Sequence, residues 1–324
     1  MNGDWEIWSA SDGGKKANLQ TVVDLHVDTL PRISAGEGRF ATGEGKLQVD
    51  LERCTRGSVR LLLTALYTTD GAPDPWGEVE RMLGVRDQEQ GLRTVTSPSQ
   101  LETLQADEVG SLATIENGQS LQGRRDRVEK LHRRGVRIIG ITWNGANDLA
   151  EGVMEDRGNG LTRAGREIVG EVKELQMAID ISHLNPEGVR DVAASEVPFL
   201  ATHSNARALW DHPRNLTDEQ IHCVGSCGGI IGINFYPPFL GEKGTVDVGT
   251  VVAHIRHVAE LIGPEHLGIG SDLDGISLFP EGLRDHGDLH RLTSALESAG
   301  FSANEVEGIV GRNFLRWWES WCGT

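Results

Sequence analysis

The sequence predicts an α/β protein built as a single (β/α)8 barrel, and three observations lead there. Short apolar runs rich in β-branched residues alternate with longer amphipathic stretches along the 324-residue chain, which is the pattern of repeated βαβ units. Eight such runs are present, at residues 21–25, 59–65, 111–115, 136–141, 178–181, 199–202, 229–234 and 267–270. Eight strands each followed by a helix suit a closed barrel better than an open sheet. Finally, His, Glu and Asp residues recur just after these runs, at the end of the barrel where active sites are built.

Taken in order, the first run leads into His26-Val-Asp28, and the alternation of side chains along a strand puts that imidazole and carboxylate on one side. Residues 31–49 lack periodicity and read as a loop. After the second run, helical spacing covers 77–92. The third run ends in Ile115-Glu116-Asn-Gly118 and is followed by helical spacing over 124–134. The fourth leads into Trp143 and Asn144, then an aperiodic stretch at 151–159 and a helix over 162–176. The fifth run ends at His183; Asn185 before Pro186 is an N-cap signal for a helix over 186–194. The sixth ends at His203, and Thr217-Asp-Glu-Gln220 has the form of a capping box. A helix is expected over 246–261, and the last run ends in Gly270-Ser-Asp272. No repeat or Pro/Gly/Ser-rich linker divides the chain, so residues 1–18 read as a short extension and 19–324 as one barrel domain.

Composition narrows the partners. With 48 acidic and 31 basic residues the formal charge is -17, which provides no electrostatic footprint for nucleic acid or an anionic membrane. No apolar run approaches the roughly 18 residues of a membrane span. The acidic start Met1-Asn-Gly-Asp-Trp-Glu is unlike a signal peptide, so a cytoplasmic protein acting on small molecules is expected. Cys54, Cys223, Cys227 and Cys322 are too few and too scattered for a disulfide framework.

The strand-end residues form a chemical set: His26, Asp28, Glu116, His183, His203 and Asp272. Imidazole and carboxylate ligands without cysteine suit zinc or a similar divalent ion, and the set exceeds what one tetrahedral ion needs. Two ions are therefore expected, with Glu116, on an intermediate strand, able to give one oxygen to each. A metal pair of this kind makes water nucleophilic at neutral pH and polarises a carbonyl, which is hydrolytic chemistry. His132, His212, His222, His254, His257, His266, His286 and His290 lie outside the strand-end pattern and are expected to be structural.

The motifs His26-Val-Asp28-Thr, Ile115-Glu-Asn-Gly, Gly160-Leu-Thr-Arg-Ala-Gly165, Asp180-Ile-Ser-His183, Thr202-His-Ser-Asn-Ala-Arg207, Arg214-Asn, Gly270-Ser-Asp-Leu-Asp-Gly275 and Gly311-Arg-Asn-Phe-Leu-Arg316 occur in this order. Together they resemble the membrane (renal) dipeptidase family of zinc peptidases, within the metal-dependent amidohydrolases. The resemblance implies two Zn2+ ions, one on His26 and Asp28, the other on His183 and His203, bridged by Glu116. It also implies that Asp272 moves the proton and that Arg214, rather than nearby Arg207, holds the terminal carboxylate of a dipeptide. It implies a soluble, bacterial-type member and a homodimer. Trp143 stands where the mammalian members carry a substrate-binding histidine; Trp143 and Asn144 are accordingly candidate substrate contacts, Asn144 as a replacement donor. Two alternatives share these residues: an amidohydrolase for N-acyl amino acids or other small amides and esters, and a metal-binding barrel without activity. No lysine follows the fourth run, which favours a glutamate bridge over the carbamylated lysine of other amidohydrolases.

Overall fold

The computed structural model describes residues 21–322; the extension expected over 1–18 lies outside the described residues. Its strands are β1 (Val22–Val27), β2 (Val59–Tyr67), β3 (Leu92–Thr94), β4 (Val109–Glu116), β5 (Val136–Gly140), β6 (Ala178–Asp180), β7 (Phe199–Leu200), β8 (Ile231–Ile233) and β9 (Leu267–Ile269). All pair in parallel, in the order β7-β6-β5-β4-β2-β1-β9-β8. A parallel bridge between Ala201 and Ile231 joins the two ends, giving a nearly closed TIM barrel. Each of the eight anticipated runs supplies one barrel strand. The exception is β3, which pairs only with β4 outside the barrel path. Helical spacing extends to 92, but the helix Pro75–Gln88 stops earlier because Gly91 takes a left-handed φ of 81° and turns the chain into β3.

The strands separate two apolar layers. Leu25, Leu61, Leu63, Leu112, Ile138 and Leu200 pack with Phe314, Trp317 and Trp318 inside the barrel. These aromatics belong to the helix Asn313–Trp321, which lies where the strands begin: Asn313 Nδ2 donates to the carbonyl of Leu267, the first residue of β9, at 3.0 Å. Leu62, Leu66, Ile115, Ile139, Ile179 and Ile231 face outward under the helices. Burying each such side chain stabilises the fold by about 1.5–3 kcal/mol.

Local signals act as their chemistry requires. The Asn185 side chain accepts from Gly188 N at 3.0 Å and starts the helix Pro186–Ala194. Thr217 and Gln220 form the reciprocal capping box of the helix Asp218–Ser226. Residues 31–34 complete a short helix, Thr29–Ser34, rather than a loop; two buried residues, Thr29 and Leu30, pin it without the longer periodicity that would announce it. Among the described residues no helix is long and apolar enough to cross a membrane.

Candidate metal centre and active site

The site begins with an irregularity in β1. Asp24 pairs with Leu62 and Val27 with Thr64, so three steps along β1 match two along β2. This bulge turns Asp24 outward, beside outward-facing Leu62, while His26 and Asp28 enter the barrel mouth. Glu116 ends β4 and lies in register with Tyr67 of β2, so both side chains occupy the inner face. His183 and Asp272 follow β6 and β9 with φ of 67° and 64°, a left-handed conformation that costs a non-glycine residue energy and is found where function requires it.

The imidazoles converge through their Nε2 atoms. His26 Nε2 lies 3.3 Å from Glu116 Oε2 and 3.6 Å from Asp28 Oδ2. On the other Glu116 oxygen, Oε1, His183 Nε2 is at 3.2 Å and His203 Nε2 at 3.8 Å. The His183 and His203 Nε2 atoms are themselves 3.1 Å apart. Glu116, His183 and His203 therefore bring one donor atom each within 4.8 Å of one another, as do His26, Asp28 and Asp272.

These groups fit metal ions on two grounds. His26 Nε2 and Asp28 Oδ1 are buried with no hydrogen-bond partner, although buried polar atoms ordinarily have one. The donor set of imidazole nitrogen and carboxylate oxygen is that of zinc and its neighbours. Each Nδ1, in contrast, has a partner: Asn144 Oδ1 for His183 at 2.9 Å, and Thr202 Oγ1 for His203 at 2.7 Å and for His26 at 3.3 Å.

The electrostatics show how tightly the cluster is coupled. Burial disfavours charge on Glu116, but His26 and His183 beside it hold its pKa well below the usual carboxylate range. Burial and the Arg214 charge push His183 down to about 4, and burial with His26 lowers His203. Burial raises Asp272 to about 8, helped by Asp28 and Glu116. Asp272 is held by its backbone N–H donating to His26 O at 3.0 Å and by Asn234 Nδ2 donating to its Oδ2 at 2.9 Å.

The two nearby arginines separate cleanly. Arg207 pairs with Asp211 at 2.7 Å and is partly exposed, whereas Arg214 is buried. Arg214 donates to Ser204 Oγ at 2.9 Å and to His203 O at 2.6 Å, and its buried Nε has no partner. Burial lowers its pKa to about 10, so it stays a cation at neutral pH. Trp143 stands edge-on to Tyr67 with ring centroids 5.2 Å apart, and 6.2 Å from the His183 ring. Sequence reasoning overlooked Tyr67 and Asn234; the signal for Tyr67 was its place at the end of the second apolar run. Gly275 was part of a motif without a reason, and the structure supplies one: a Cβ there would run into Asp28 Oδ2 and Asp272 Oδ1.

A (β/α)8 barrel with this constellation at the carboxyl ends of its strands defines a metal-dependent hydrolase. Residues 17–321 match the model of the membrane dipeptidase family, peptidase family M19, and the chain belongs to that family. It is a metallo-dipeptidase, a hydrolase of peptide bonds. An uncharacterized protein from the pqqA 5' region of Klebsiella pneumoniae is 37% identical over 237 residues, covering 69% of this chain and 87% of its own length. The crystal structure of a metallopeptidase, dipeptidase AC, superposes with a TM-score of 0.85 at 27% identity, covering 94% of this chain and 99% of that one. A Rhodobacter sphaeroides metallopeptidase solved with a phosphinate mimic of the dipeptide L-Ala-D-Ala gives a TM-score of 0.84 at 27% identity, covering 92% and 98% of the two chains.

Proposed function

We propose that this protein hydrolyses dipeptides with two divalent metal ions, zinc by donor chemistry, one held by His26 and Asp28, the other by His183 and His203, with Glu116 giving one oxygen to each. The carrying observation is the division of the Glu116 carboxylate, whose Oε2 faces His26 and whose Oε1 faces His183 and His203. Bound there, the ions would supply an activated water and polarise the scissile carbonyl. The chain's own residues do the rest. Asp272, a buried carboxyl placed beside His26 and Asp28 whose ionised form the bound cations would favour, takes the proton of the attacking water and delivers it to the departing amine. Arg214, a cation with an unpaired buried N–H, receives the dipeptide's carboxylate, for which a planar guanidinium is suited. Trp143 and Tyr67 form an aromatic wall beside His183, and Trp143 donates at most one hydrogen bond and no charge to the substrate. Asn144 orients His183 through its Oδ1, which meets Nδ1, and its NH2 group is the donor it can offer the substrate.

The site accepts a small substrate with a free carboxylate, and the family relative holding an L-Ala-D-Ala mimic supports a tolerance for a D-residue at the second position. Metal analysis of zinc-loaded protein should find about two equivalents per chain, with turnover of simple dipeptides, the number expected when a carboxylate is shared between two ions. Glu116→Gln should lose at least one equivalent and most of the turnover. Normal binding of both ions by that variant would remove the shared-carboxylate assignment.

A further inference from the structure

Besides the two groups assigned above, a third set of metal-competent side chains gathers in the site: His26, Asp180 and His203, all buried. Its centre is taken by the hydroxyl of Thr202, which is itself fully buried. Thr202 Oγ1 lies 2.5 Å from Asp180 Oδ2, 2.7 Å from His203 Nδ1 and 3.3 Å from His26 Nδ1; Ser182 Oγ, at 3.4 Å, stands at the edge of hydrogen-bond reach. The other Asp180 oxygen accepts the backbone N–H groups of Ser182 at 2.9 Å and Thr202 at 3.0 Å.

The direction of these bonds follows from counting hydrogens. An ionised carboxylate only accepts, so the single hydroxyl hydrogen of Thr202 goes to Asp180. The two lone pairs left on Oγ1 accept from the two imidazoles, so both Nδ1 atoms carry hydrogen. Each Nε2 then presents a lone pair to the metal side, the tautomer that coordination through Nε2 requires.

We infer that Asp180 and Thr202 are a positioning pair in which one hydroxyl sets the tautomer and ring orientation of His26 and His203 together. The inference rests on the two-metal reading, because His26 belongs to one metal group and His203 to the other. Its consequence is that a single threonine couples the affinities of both ions. The stacked rings of His26 and His203, with centroids 3.6 Å apart, share this anchor as one unit.

Three variants test it on the zinc-loaded and cobalt-loaded protein: Thr202→Ser, Thr202→Val and Asp180→Asn. In Asp180→Asn the two backbone N–H groups hold the carboxamide oxygen, which leaves the NH2 group facing Thr202. The hydroxyl then receives a hydrogen bond and turns its own hydrogen toward an imidazole, opposing the required tautomer without a change of shape.

Chelator competition should show both ions bound about 10–100-fold more weakly in Thr202→Val and at least one of them in Asp180→Asn, the usual scale for loss of a ligand's hydrogen-bond partner. The cobalt absorption spectrum should change in both, the Nδ1–H resonances of His26 and His203 should be lost or shifted in proton NMR, and Thr202→Ser should stay close to wild type. Melting of the metal-free proteins monitors folding; should Thr202→Val fail to fold, Asp180→Asn carries the test. Wild-type affinity and cobalt spectrum in Asp180→Asn would overturn the inference, as would weakening of one ion alone in Thr202→Val, or a Thr202→Ser protein as impaired as Thr202→Val. A wild-type protein that holds no divalent ion would instead overturn the two-metal reading itself.

Discussion

Asp272 and Arg214 are the residues whose roles separate most sharply in measurement. Asp272 lies with His26 and Asp28 and is held in place by Asn234 and its own backbone, so Asp272→Asn keeps the shape and removes the proposed proton carrier. The variant should retain its metal content and lose about 10²–10⁴-fold in kcat, the usual scale for a general acid-base group. Near wild-type kcat would exclude proton transfer by Asp272. The role proposed for Arg214 is in binding: Arg214→Ala should raise KM for dipeptides with a free carboxylate and change little for C-terminally amidated analogues. An equal loss on both would contradict carboxylate capture. At this scale the candidate ligands were legible because each stands at the end of an apolar run, and an imidazole or carboxylate there is unusual. Tyr67 also ends an apolar run, but its importance, like that of Asn234, arises from the neighbours that register and loop geometry bring: Glu116 beside Tyr67 and Asp272 beside Asn234.

Among the elements, β1 and the loop after β9 do the most to build the mouth of the barrel. The β1 bulge sends Asp24 outward, where its carboxylate accepts from His26 N at 3.2 Å, from Ser271 N at 2.9 Å and from Ser271 Oγ. Asp180 repeats the arrangement across β6 and β7, accepting from the residue two positions on and from the backbone and hydroxyl of Thr202. Each aspartate thus ties the ends of two neighbouring strands that lead into the site. Alternation along a strand correctly placed His26 and Asp28 together, but the bulge, a product of strand pairing, decided where Asp24 points. The loop after β9 approaches the carboxylates of Asp28 and Asp272 so closely that only glycine fits at 275. Gly275→Ala should therefore displace both acids, lowering metal retention and turnover while leaving a cooperative unfolding transition. Full metal content and activity in that variant would show that the loop yields without cost.

In the whole molecule, the barrel is locked partly by a buried ion pair far from the surface. His286 Nε2 lies 2.7 Å from Asp24 Oδ2, both side chains are fully buried, and Cys54 Sγ is 3.5 Å from His286 Nδ1. Burial opposes charge on His286, but Cys54 and Asp24 raise its pKa from 6.5 to about 10. A proton bound more tightly in the folded state favours folding, so this contribution is complete below pH 6.5 and is lost as the pH rises through about 10. The melting temperature of wild type should exceed that of His286→Asn by a margin that shrinks across this window. A margin independent of pH would show that His286 is not charged in the fold. The expectation that His286 is structural agrees with this placement, although its partner Asp24, 262 positions away in the chain, was not foreseeable.

What the sequence determined by itself was periodicity and order: eight apolar runs of strand length, helices with caps such as Asn185 and Thr217, and metal-competent residues at the run ends. These are local properties, because a strand's alternation and a helix cap depend on residues a few positions apart. Tertiary structure alone decided that Glu116 is divided between His26 and His183, that Arg214 is buried while Arg207 is not, that Asn144 engages His183, and that Thr202 serves two imidazoles at once. Each of these is a meeting of side chains from different strands, brought about by barrel closure and register, which no single stretch of the chain encodes.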